Sequence, residues 1–435
     1  MRKISDYNDA LGFLYSFIDY ERRTGWKYTT TEFNLNRMND FLGVLGNPHK
    51  HGWFVHVAGT NGKGSVCAMI ATALNRAGYK TGLYTSPHLI TFRERIRIDG
   101  SVISKDEVVT AVNRIHDATD QFKGLTFFEV WTGLAFLYFA ESGVDVSVVE
   151  VGMGGRLDST NVITPEVSVI TSISVDHRGA LGEKTEQIAS EKAGIIKSGK
   201  PVVCAPQEPD VIKVIQKKAD SVNAPLTLIG RDVDYTISDG RVSYNGIKWE
   251  IEPFYVPLNG VMQFENTAIA LAALETIDRA GYPVAVKNAR EGVENVIWPG
   301  RLQQIADHPT VIIDGACNPG AMKSVTEYIT TRTDRENVVA VVAMCRDKDI
   351  KDVLDILGNV SSRFVLTQVK NPRAMNAHDL EKHTPGHVET YVRELPSAAL
   401  EQAILLAGND GLVLVTGSLY LVGDILRLYN IGEFD

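Results

Sequence analysis

The sequence predicts an α/β protein in which a mostly parallel sheet domain of the P-loop type is followed by a smaller, Rossmann-like α/β domain. Three observations lead to this prediction: short apolar runs alternate with helical patterns, a glycine-rich segment follows one of these runs, and a second alternating series begins near residue 300. Continuous apolar strands that alternate with helices are typical of parallel sheets covered on both faces. We expect the domains to span residues 1–297 and 298–435, divided at the turn Trp298-Pro299-Gly300.

The elements follow one another as such a fold requires. The first fifty residues have helical patterns, and a strand at 53–57 leads through the glycine loop into a helix at 65–77. Further strands are predicted at 81–84, 144–149, 167–173 and 201–204, with helices at 106–115, 128–141, 185–196 and 211–219. Short β-type runs fill 226–255, and helices cover 266–279 and 284–296. The second series has strands at 311–313, 338–344, 364–369 and 412–416, with helices at 321–329, 352–357 and 398–406.

Composition excludes several classes of protein. A net charge of -9 disfavours a nucleic-acid-binding role, which usually needs a basic face. No apolar run approaches the roughly 18 residues of a membrane span, and Asp6 and Asp9 interrupt the region where a signal peptide would be apolar. The cysteines are widely spaced and lack a CxxC pair, which disfavours a zinc site or a disulfide framework and predicts a reducing cytoplasm: Cys67, Cys204, Cys317 and Cys345.

The glycine loop is the strongest candidate for phosphate binding, and it reads Gly59-Thr60-Asn61-Gly62-Lys63-Gly64-Ser65. A glycine-rich turn between a strand and a helix leaves backbone N–H groups free for an anion, and the helix dipole adds to the attraction. We expect Lys63 to reach the β- and γ-phosphates of ATP. Gly64 separates the lysine from the Ser65 hydroxyl, so the loop departs from the usual GK[ST] pattern. The alternative is an ordinary glycine turn.

Two strand ends downstream carry candidate metal ligands. Glu150 closes an apolar strand, where a Mg²⁺ ligand is expected in proteins with a phosphate loop. His177 follows another strand as a candidate ligand or base. A solvent-facing glutamate and a surface histidine are the alternatives.

Three arginines alternate at positions 93, 95 and 97. In an extended chain Arg93, Arg95 and Arg97 would share one face and suit a polycarboxylate ligand. A solvated strand face is an equally weighted alternative.

Together these motifs resemble the folylpolyglutamate synthase and dihydrofolate synthase family, a branch of the Mur ligase superfamily. The resemblance extends over nearly the whole chain. It rests on HVAGTNGKGS at 56–65, TSPHLITFRERI at 85–96, VEVGMGGRLDSTN at 149–161, VDH at 175–177, SEKAGII at 190–196, WPGR at 298–301, DGACNP at 314–319 and TGSLYLVGDILR at 416–427.

The resemblance implies roles for particular residues. Ser86, Glu150 and His177 match the magnesium ligands of the family, and Lys192 matches a lysine that is carbamylated in relatives. A lysine reacts with CO₂ only as the neutral amine, so its site must lower its pKa. The catalytic set is then Lys63, His177 and Lys192.

The remaining implied contacts concern nucleotide and substrates. Asn266 and Arg301 match nucleotide contacts; Asp314 and Ser418 match glutamate contacts; Phe128 and Asp158 match the pterin pocket. For each, a structural role is the alternative: a helix cap for Asn266, a strand end for Asp314, core packing for Phe128. Cys317 stands where the family usually has histidine, which puts the glutamate co-substrate in question because a thiol lacks the hydrogen bonds of imidazole.

The implied reaction is ATP-dependent amide formation through an acyl phosphate, with Mg²⁺ and possible carbamylation of Lys192. Its substrates are a pteroate or folate and L-glutamate, with no nucleic-acid or membrane partner, and the resemblance favours a monomer. Two alternatives stay open. One is a Mur-type ligase for a different acid or amino acid, which the 58 residues before Gly59 disfavour for a nucleotide-sugar substrate. The other is a non-catalytic nucleotide-binding homologue.

Overall fold

The structure is a computed structural model that describes residues 4–23, 29, 32–176 and 178–432. The strands are β1 Trp53–Ala58, β2 Thr81–Tyr84, β3 Ile96–Ile98, β4 Ser101–Val102, β5 Val146–Glu150, β6 Val167–Ile170, β7 Val202–Cys204, β8 Leu226–Leu228, β9 Asp234–Ser238, β10 Arg241–Asn245, β11 Glu250–Tyr255, β12 Gln303–Asp307, β13 Thr310–Ile313, β14 Val338–Val342, β15 Arg363–Leu366, β16 Glu389–Val392 and β17 Leu412–Thr416. The helices are α1 Tyr7–Tyr15, α2 Leu35–Val44, α3 Lys63–Arg76, α4 Lys105–Thr119, α5 Phe127–Glu141, α6 Arg178–Leu181, α7 Thr185–Lys192, α8 Pro209–Ser221, α9 Met262–Arg279, α10 Val286–Glu294, α11 Pro319–Thr330, α12 Ile350–Leu357, α13 Ala377–Glu381, α14 Pro396–Ala407 and α15 Leu419–Leu428.

The first eight strands form one sheet in the order β4-β3-β2-β5-β1-β6-β7-β8. The pairs from β2 through β8 are parallel, while β3 and β4 form an antiparallel edge. Alternate residues of β1 face opposite cores: Val55 and Val57 pack towards α3 and α9, whereas Phe54 packs towards α5. The central strands are buried on both faces, which explains their continuous apolar composition.

The order of the strands places the chemistry at one edge of this sheet. β1 lies between β5 and β6, and Val57 is paired in register with Glu150. Because the carboxyl ends of parallel strands meet at one edge, the glycine loop after β1, Glu150 at the end of β5 and the segment after β6 come together.

A second sheet has the order β12-β13-β17-β14-β15-β16, parallel except for the β12–β13 pair. Its two faces are covered by separate apolar clusters, one around α11 and α12 and the other around α14 and α15. The fold class is therefore as predicted, a mixed α/β protein with two parallel-dominated sheets. Within the described ranges, no helix combines the length and apolar character needed to cross a membrane.

A three-stranded antiparallel sheet, β9 to β11, occupies the region of predicted short β runs. The buried Glu275 of α9 anchors it. Its carboxylate accepts the Tyr244 hydroxyl at 2.7 Å and the backbone N–H groups of Ile247, Lys248 and Trp249.

The prediction for the three arginines is wrong. Residues Phe92–Arg95 form a 3-10 helix, so Arg93, Arg95 and Arg97 do not share one strand face. Both Arg93 and Arg95 are buried, which also excludes the solvated face. The Arg95 guanidinium donates to both carboxylate oxygens of Glu21, at 2.8 and 2.6 Å. Arg97 instead lies 5.7 Å over the Trp298 ring.

Candidate functional site

A single cavity of about 670 Å³ lies where the carboxyl ends of the two parallel sheets face each other. Residues of the glycine loop, of strand ends in both sheets and of α9 line it. Its described lining contains seven acidic and four basic side chains: Asp19, Glu21, Glu150, Asp158, Asp176, Glu265 and Asp314, against Lys63, Arg301, Lys348 and Arg373. The volume lies in the range of enclosed small-molecule sites.

The glycine loop is held against the strand beside it. The N–H groups of Thr60 and Asn61 donate to Ser172 O at 2.8 and 3.2 Å. Gly62 has φ +86°, and a Cβ there would lie 2.3 Å from Asn266 Oδ1, so this position requires glycine. Since Val66 N donates to Gly62 O, the N–H groups of residues 63–65 precede the first helical bond of α3. They border the cavity, an arrangement that suits the predicted phosphate cradle.

Lys63 and Glu150 face each other at the base of this cradle. Lys63 Nζ lies 4.0 Å from Glu150 Oε1 and donates to Thr60 O at 3.3 Å. Glu150 Oε2 accepts the Ser86 N–H at 3.1 Å, which places the Ser86 hydroxyl group in the same corner. Burial raises the pKa of Glu150, while the Lys63 ammonium opposes the shift. The glutamate is thus buried, as the metal-ligand interpretation requires, and does not face solvent.

The described part of this corner fits a divalent cation. Among the residues that the structure describes, no three His, Cys, Asp or Glu side chains form a metal cluster by themselves. The predicted set instead combines a hydroxyl and a carboxylate, Ser86 and Glu150, with His177, which lies outside the described residues. Oxygen ligands of this kind suit Mg²⁺. The excess of acidic over basic side chains in the cavity also needs compensating positive charge before a triphosphate enters.

Lys192, the last residue of α7, is buried behind the glycine loop and donates to Gly59 O at 2.6 Å. Burial, reinforced by the Lys63 ammonium, lowers the pKa of Lys192 to about 7. A cavity of about 40 Å³ adjoins it, bordered by Gly59, Lys63, Gly152 and Asp176. The lysine therefore has both the neutral amine and the adjoining space that carbamylation requires.

Phe128 and Asp158 meet on another wall of the cavity. The Phe128 ring packs so closely on Gly152 that a Cβ there would lie 2.4 Å from it, and the ring is half-buried rather than part of the closed core. Asp158 is buried and accepts the N–H groups of Met153 at 2.8 Å and Thr160 at 3.0 Å. An aromatic face beside a carboxylate suits a flat heterocycle that carries N–H donors.

The two predicted nucleotide contacts lie in the same cavity. Asn266 is in the second turn of α9, so the alternative of a helix cap is wrong; its amide donates to Gln263 Oε1 at 2.9 Å. Arg301 lies between the sheets and lowers the pKa of both Glu150 and Asp314 against the effect of burial.

The predicted glutamate contacts come from the second sheet. Asp314 follows β13, and its oxygens accept the N–H groups of Leu302 at 2.9 Å and Ala316 at 2.7 Å. Ser418 caps α15 through Tyr420 N at 3.1 Å, which leaves its hydroxyl proton for a ligand. Cys317 borders the cavity, and burial raises the pKa of its thiol, which is therefore neutral near pH 7.

Sequence reasoning missed the contacts that join the two sheets. Lys348 Nζ donates to Asp176 Oδ1 at 2.7 Å, and Asn318 Nδ2 donates to Asn61 Oδ1 at 2.9 Å and to Asp176 Oδ2 at 3.3 Å. Burial opposes the charge of Lys348, but the Asp176 carboxylate, through its charge and its hydrogen bond, acts in the other direction, and the pKa of Lys348 is raised. The position of Asp176 and Lys348 shortly after parallel strands was the available signal.

A further buried cation was also missed. Arg373 lies on the cavity wall and donates to Asp347 Oδ2 at 3.2 Å, while its Nε is buried without a partner. Its position in a loop after β15 gave no periodic pattern.

The fold and this site agree with comparisons to known protein families. Residues 57–274 match the Mur ligase middle domain, and residues 300–419 match the Mur ligase glutamate ligase domain. The protein is therefore an ATP-dependent ligase of the Mur type.

Individual relatives narrow the class. The chain is 34% identical to the dihydrofolate synthase/folylpolyglutamate synthase of Bacillus subtilis, over 94% of this chain and 99% of the relative. It superposes on Escherichia coli FolC in complex with DHPP and ADP with a TM-score of 0.89, at 31% identity and 99% coverage of both chains. The Yersinia pestis bifunctional enzyme complexed with AMPPNP and Mn ion gives a TM-score of 0.87 at 29% identity, over 99% of this chain and 100% of that one.

The chain belongs to the dihydrofolate synthase/folylpolyglutamate synthase family. This confirms the resemblance drawn from the motifs, together with the predicted enzyme class. The nucleotide and divalent-metal complexes of the relatives support the predicted binding of both by this chain.

Proposed function

We propose that the protein joins the amine of L-glutamate to a carboxylate of dihydropteroate or of a folate, using ATP. The supporting observation is the cavity of about 670 Å³ that residues of both sheets line. Its walls bring together the phosphate loop with Glu150, the Phe128–Asp158 pair, and Arg373 with Ser418 of the second sheet. This arrangement would let a triphosphate, a flat heterocycle and an amino acid meet in one cleft, as a ligation requires.

The chemistry has two steps that need no protein nucleophile. A substrate carboxylate oxygen attacks the γ-phosphorus of ATP, and the bond to the bridging oxygen breaks to release ADP. The glutamate nitrogen then attacks the carbonyl carbon of the acyl phosphate, inorganic phosphate leaves, and the nitrogen gives up a proton. A divalent cation held by Ser86 and Glu150 would supply positive charge beside the phosphates.

The residues of the chain bind and orient the reactants. The N–H groups at the start of α3 and the Lys63 ammonium hold the phosphates, and Arg301 lies beside Glu150 to balance developing negative charge. Asn266 lies close against Gly62 of the glycine loop and borders the cavity, where its amide can contact the nucleotide. The outward-facing carboxyl end of the substrate then lies between the phosphate loop and the second sheet.

We also propose that Lys192 is carbamylated. The Lys192 ammonium first loses one proton; the neutral amine then attacks CO₂ to form a carbamate and releases a second proton, so that a buried cation becomes an anion. The lowered pKa, the adjoining cavity of about 40 Å³ and the nearby phosphate loop support this assignment. The carbamate would lie where it can help to hold a second divalent cation.

Phosphate release tests the proposed function. We expect purified protein with Mg-ATP to release phosphate only when L-glutamate and either dihydropteroate or tetrahydrofolate are both present. The product should be a new amide between the substrate carboxylate and the glutamate nitrogen, identified by mass spectrometry. Phosphate release that ignores both co-substrates, or none across a panel of folates and amino acids, would refute the proposal. The same preparation in sedimentation velocity tests the predicted monomer.

A further inference from the structure

His56 is a buried side chain that the proposed reaction does not use. It lies in the middle of β1, two residues before that strand ends, and is 0% exposed. Its Nε2 lies 2.8 Å from Thr160 Oγ1, and Thr160 Oγ1 lies 2.5 Å from Asp158 Oδ1. A continuous chain of side-chain hydrogen bonds thus joins the first strand to the carboxylate on the cavity wall.

The direction of each hydrogen bond follows from the available protons. The Asp158 oxygens accept backbone N–H groups on both sides, Thr160 N on Oδ1 and Met153 N on Oδ2, so the carboxylate acts as the acceptor. The Thr160 hydroxyl has one proton, which it donates to Asp158. Its oxygen can then only accept from His56, which must carry its proton on Nε2.

The other ring nitrogen agrees with this tautomer. His56 Nδ1 is buried and has no partner. An unprotonated Nδ1 is an acceptor without a partner, and it costs less free energy in the interior than an N–H donor without a partner would. Buried donors without partners are accordingly the rarer case. Burial, with a smaller effect from the Lys197 ammonium, lowers the pKa of His56 well below its ordinary value, so the ring stays neutral.

We propose that His56 is a positioning residue that, through Thr160, orients the Asp158 carboxylate towards the N–H edge of the bound heterocycle. The proposal rests on the placement of the pterin at Phe128 and Asp158 under the proposed function. The His56 donor holds the Thr160 hydroxyl in the rotamer that meets Asp158 Oδ1. Hydrogen bonds in such a chain polarise one another, and this strengthens the bond that fixes the carboxylate.

A purely structural role for His56 predicts a different behaviour. A histidine that only fills the core would affect stability, and with it every ligand, to a similar extent. If His56 is a positioning residue, its substitution should weaken binding of the heterocycle alone. The hydrogen-bonded side chains lead from His56 only to Asp158, whereas β1 is connected to the ATP site through its backbone.

Four variants separate these explanations. His56→Leu removes the donor, and His56→Gln restores an N–H at a similar reach. Thr160→Val breaks the chain in the middle. Ser168→Ala is the matched control, because Ser168 is the buried register neighbour of His56 on β6 and its hydroxyl donates to Ile195 O outside the chain.

Calorimetric titration of the full chain with dihydropteroate and, separately, with Mg-AMPPNP gives the readout. We expect His56→Leu and Thr160→Val to raise the dihydropteroate Kd about fivefold and to leave the AMPPNP Kd unchanged. His56→Gln and Ser168→Ala should match the wild type. Equal weakening of both ligands, no weakening of dihydropteroate, or no recovery in His56→Gln would overturn the proposal.

Two further measurements cover the remaining outcomes. If His56→Leu does not fold, the dihydropteroate affinity of Thr160→Val tests the proposal instead. In addition, ¹⁵N NMR of the wild-type imidazole should show the proton on Nε2. A proton on Nδ1 would contradict the proposed direction of the hydrogen bond from His56 to Thr160. If wild-type protein binds AMPPNP but neither dihydropteroate nor tetrahydrofolate, the proposed function fails and this inference fails with it. Dihydropteroate binding that is equal in wild type and both chain-breaking variants overturns the inference alone.

Discussion

At the scale of single residues, Lys192 makes the most direct prediction about pH. Its pKa, lowered to about 7 mainly by burial, lies below that of a lysine in an unfolded chain, about 10.4. The neutral fraction available for CO₂ therefore falls about tenfold per pH unit once the pH drops below 7. We expect protein prepared without bicarbonate at pH 6 to have lower kcat than the same protein at pH 8, and added bicarbonate to restore more activity at pH 8.

The same pKa shift has a consequence for stability. Between about pH 7 and pH 10.5 the unfolded chain binds more protons at Lys192 than the folded chain, so the contribution of Lys192 to stability rises with pH across that window.

Lys192→Met is the control for the bicarbonate experiment: it should remove the bicarbonate response and lower kcat by about tenfold or more. Bicarbonate that stimulates this variant as strongly as the wild type would argue against carbamylation.

Cys317 supports a second prediction at this scale. Its partly buried thiol borders the cavity near Lys348, at the position where the motif resemblance leads us to expect a histidine. Cys317→His adds a hydrogen-bonding group, and a typical net hydrogen bond is worth about 1 kcal/mol. We expect the KM for glutamate to fall about fivefold while the KM for ATP stays unchanged, as measured by phosphate release. An unchanged glutamate KM would place the amino acid away from this position.

Residue by residue, the sequence located the strand-end groups but not their partners. Glu150 could be placed because a carboxylate that ends an apolar strand in a parallel sheet lies at the functional edge, whereas Asp158 was assigned only through the family resemblance. The pairs Lys348–Asp176 and Asn318–Asn61 could not, because each joins loops from two different sheets. Their relative position depends on the packing of whole domains, which no local pattern records.

At the scale of elements, two helical glycines offer a matched comparison. Gly423 in α15 packs against the loop before the 3-10 helix, where an added Cβ would meet Leu89 O at 2.0 Å. Gly12 in α1 has nothing within 4 Å of the same position. Gly423→Ala forces the backbones apart and should cost about 1–3 kcal/mol, whereas Gly12→Ala should stabilise the protein by about 0.5–1 kcal/mol.

Urea unfolding monitored by circular dichroism measures both changes. The loop that contains Leu89 connects strands of the first sheet, and α15 packs on the second sheet. Because Gly423→Ala changes the contact between the two, it should also reduce phosphate release, and Gly12→Ala should not. Equal effects of the two substitutions on stability would mean that the close approach at Gly423 is not important.

The elements that the sequence mispredicted have a local physical cause. The extended segment expected at the three arginines is curled instead, because the Glu94 carboxylate accepts the N–H groups of Leu89, Ile90 and Thr91 at 2.6–2.8 Å. An acidic residue that accepts preceding N–H groups outweighs weak strand alternation. Longer apolar runs, such as β1, β5 and β17, predicted a strand without such a competing local hydrogen-bond pattern.

At the scale of the whole molecule, the Asp176–Lys348 ion pair should hold the two sheets in the closed arrangement. Its side chains are 14% and 8% exposed, so removing the lysine charge leaves a poorly hydrated carboxylate. Such a group recovers hydration if the sheets separate. We expect Lys348→Met to increase the radius of gyration of the ligand-free protein in small-angle X-ray scattering and to raise the KM for glutamate.

Lys351→Met controls for the loss of charge, because Lys351 pairs with Asp355 on the exposed face of α12. It should leave both the scattering and the kinetics unchanged. If Lys348→Met scatters like the wild type in the absence and presence of nucleotide, the ion pair does not maintain the closed arrangement.

The overall architecture was predictable only in part. Alternation of strands and helices revealed two successive parallel-type sheets, since each buried strand carries a continuous apolar run. The order β5-β1-β6 and the antiparallel edge of β3 and β4 were not predictable, because strand neighbours depend on crossover geometry rather than on sequence proximity. The division near Trp298 stays a prediction; the Trp298 indole itself packs on Gly64 of the phosphate loop.

Strands β1 to β11 lie in the first sheet and in the small antiparallel sheet, whereas β12 to β17 all lie in the second sheet, so the chain passes to the second sheet once. That single passage matters for inheritance. One recombination event between related genes, placed in the codons that separate β11 from β12, would exchange the half that we propose binds the amino acid and leave intact every strand of the half that we propose binds the phosphates. A protein with this chain order can acquire specificity for a new amine substrate by gene shuffling without first losing its ATP-binding site.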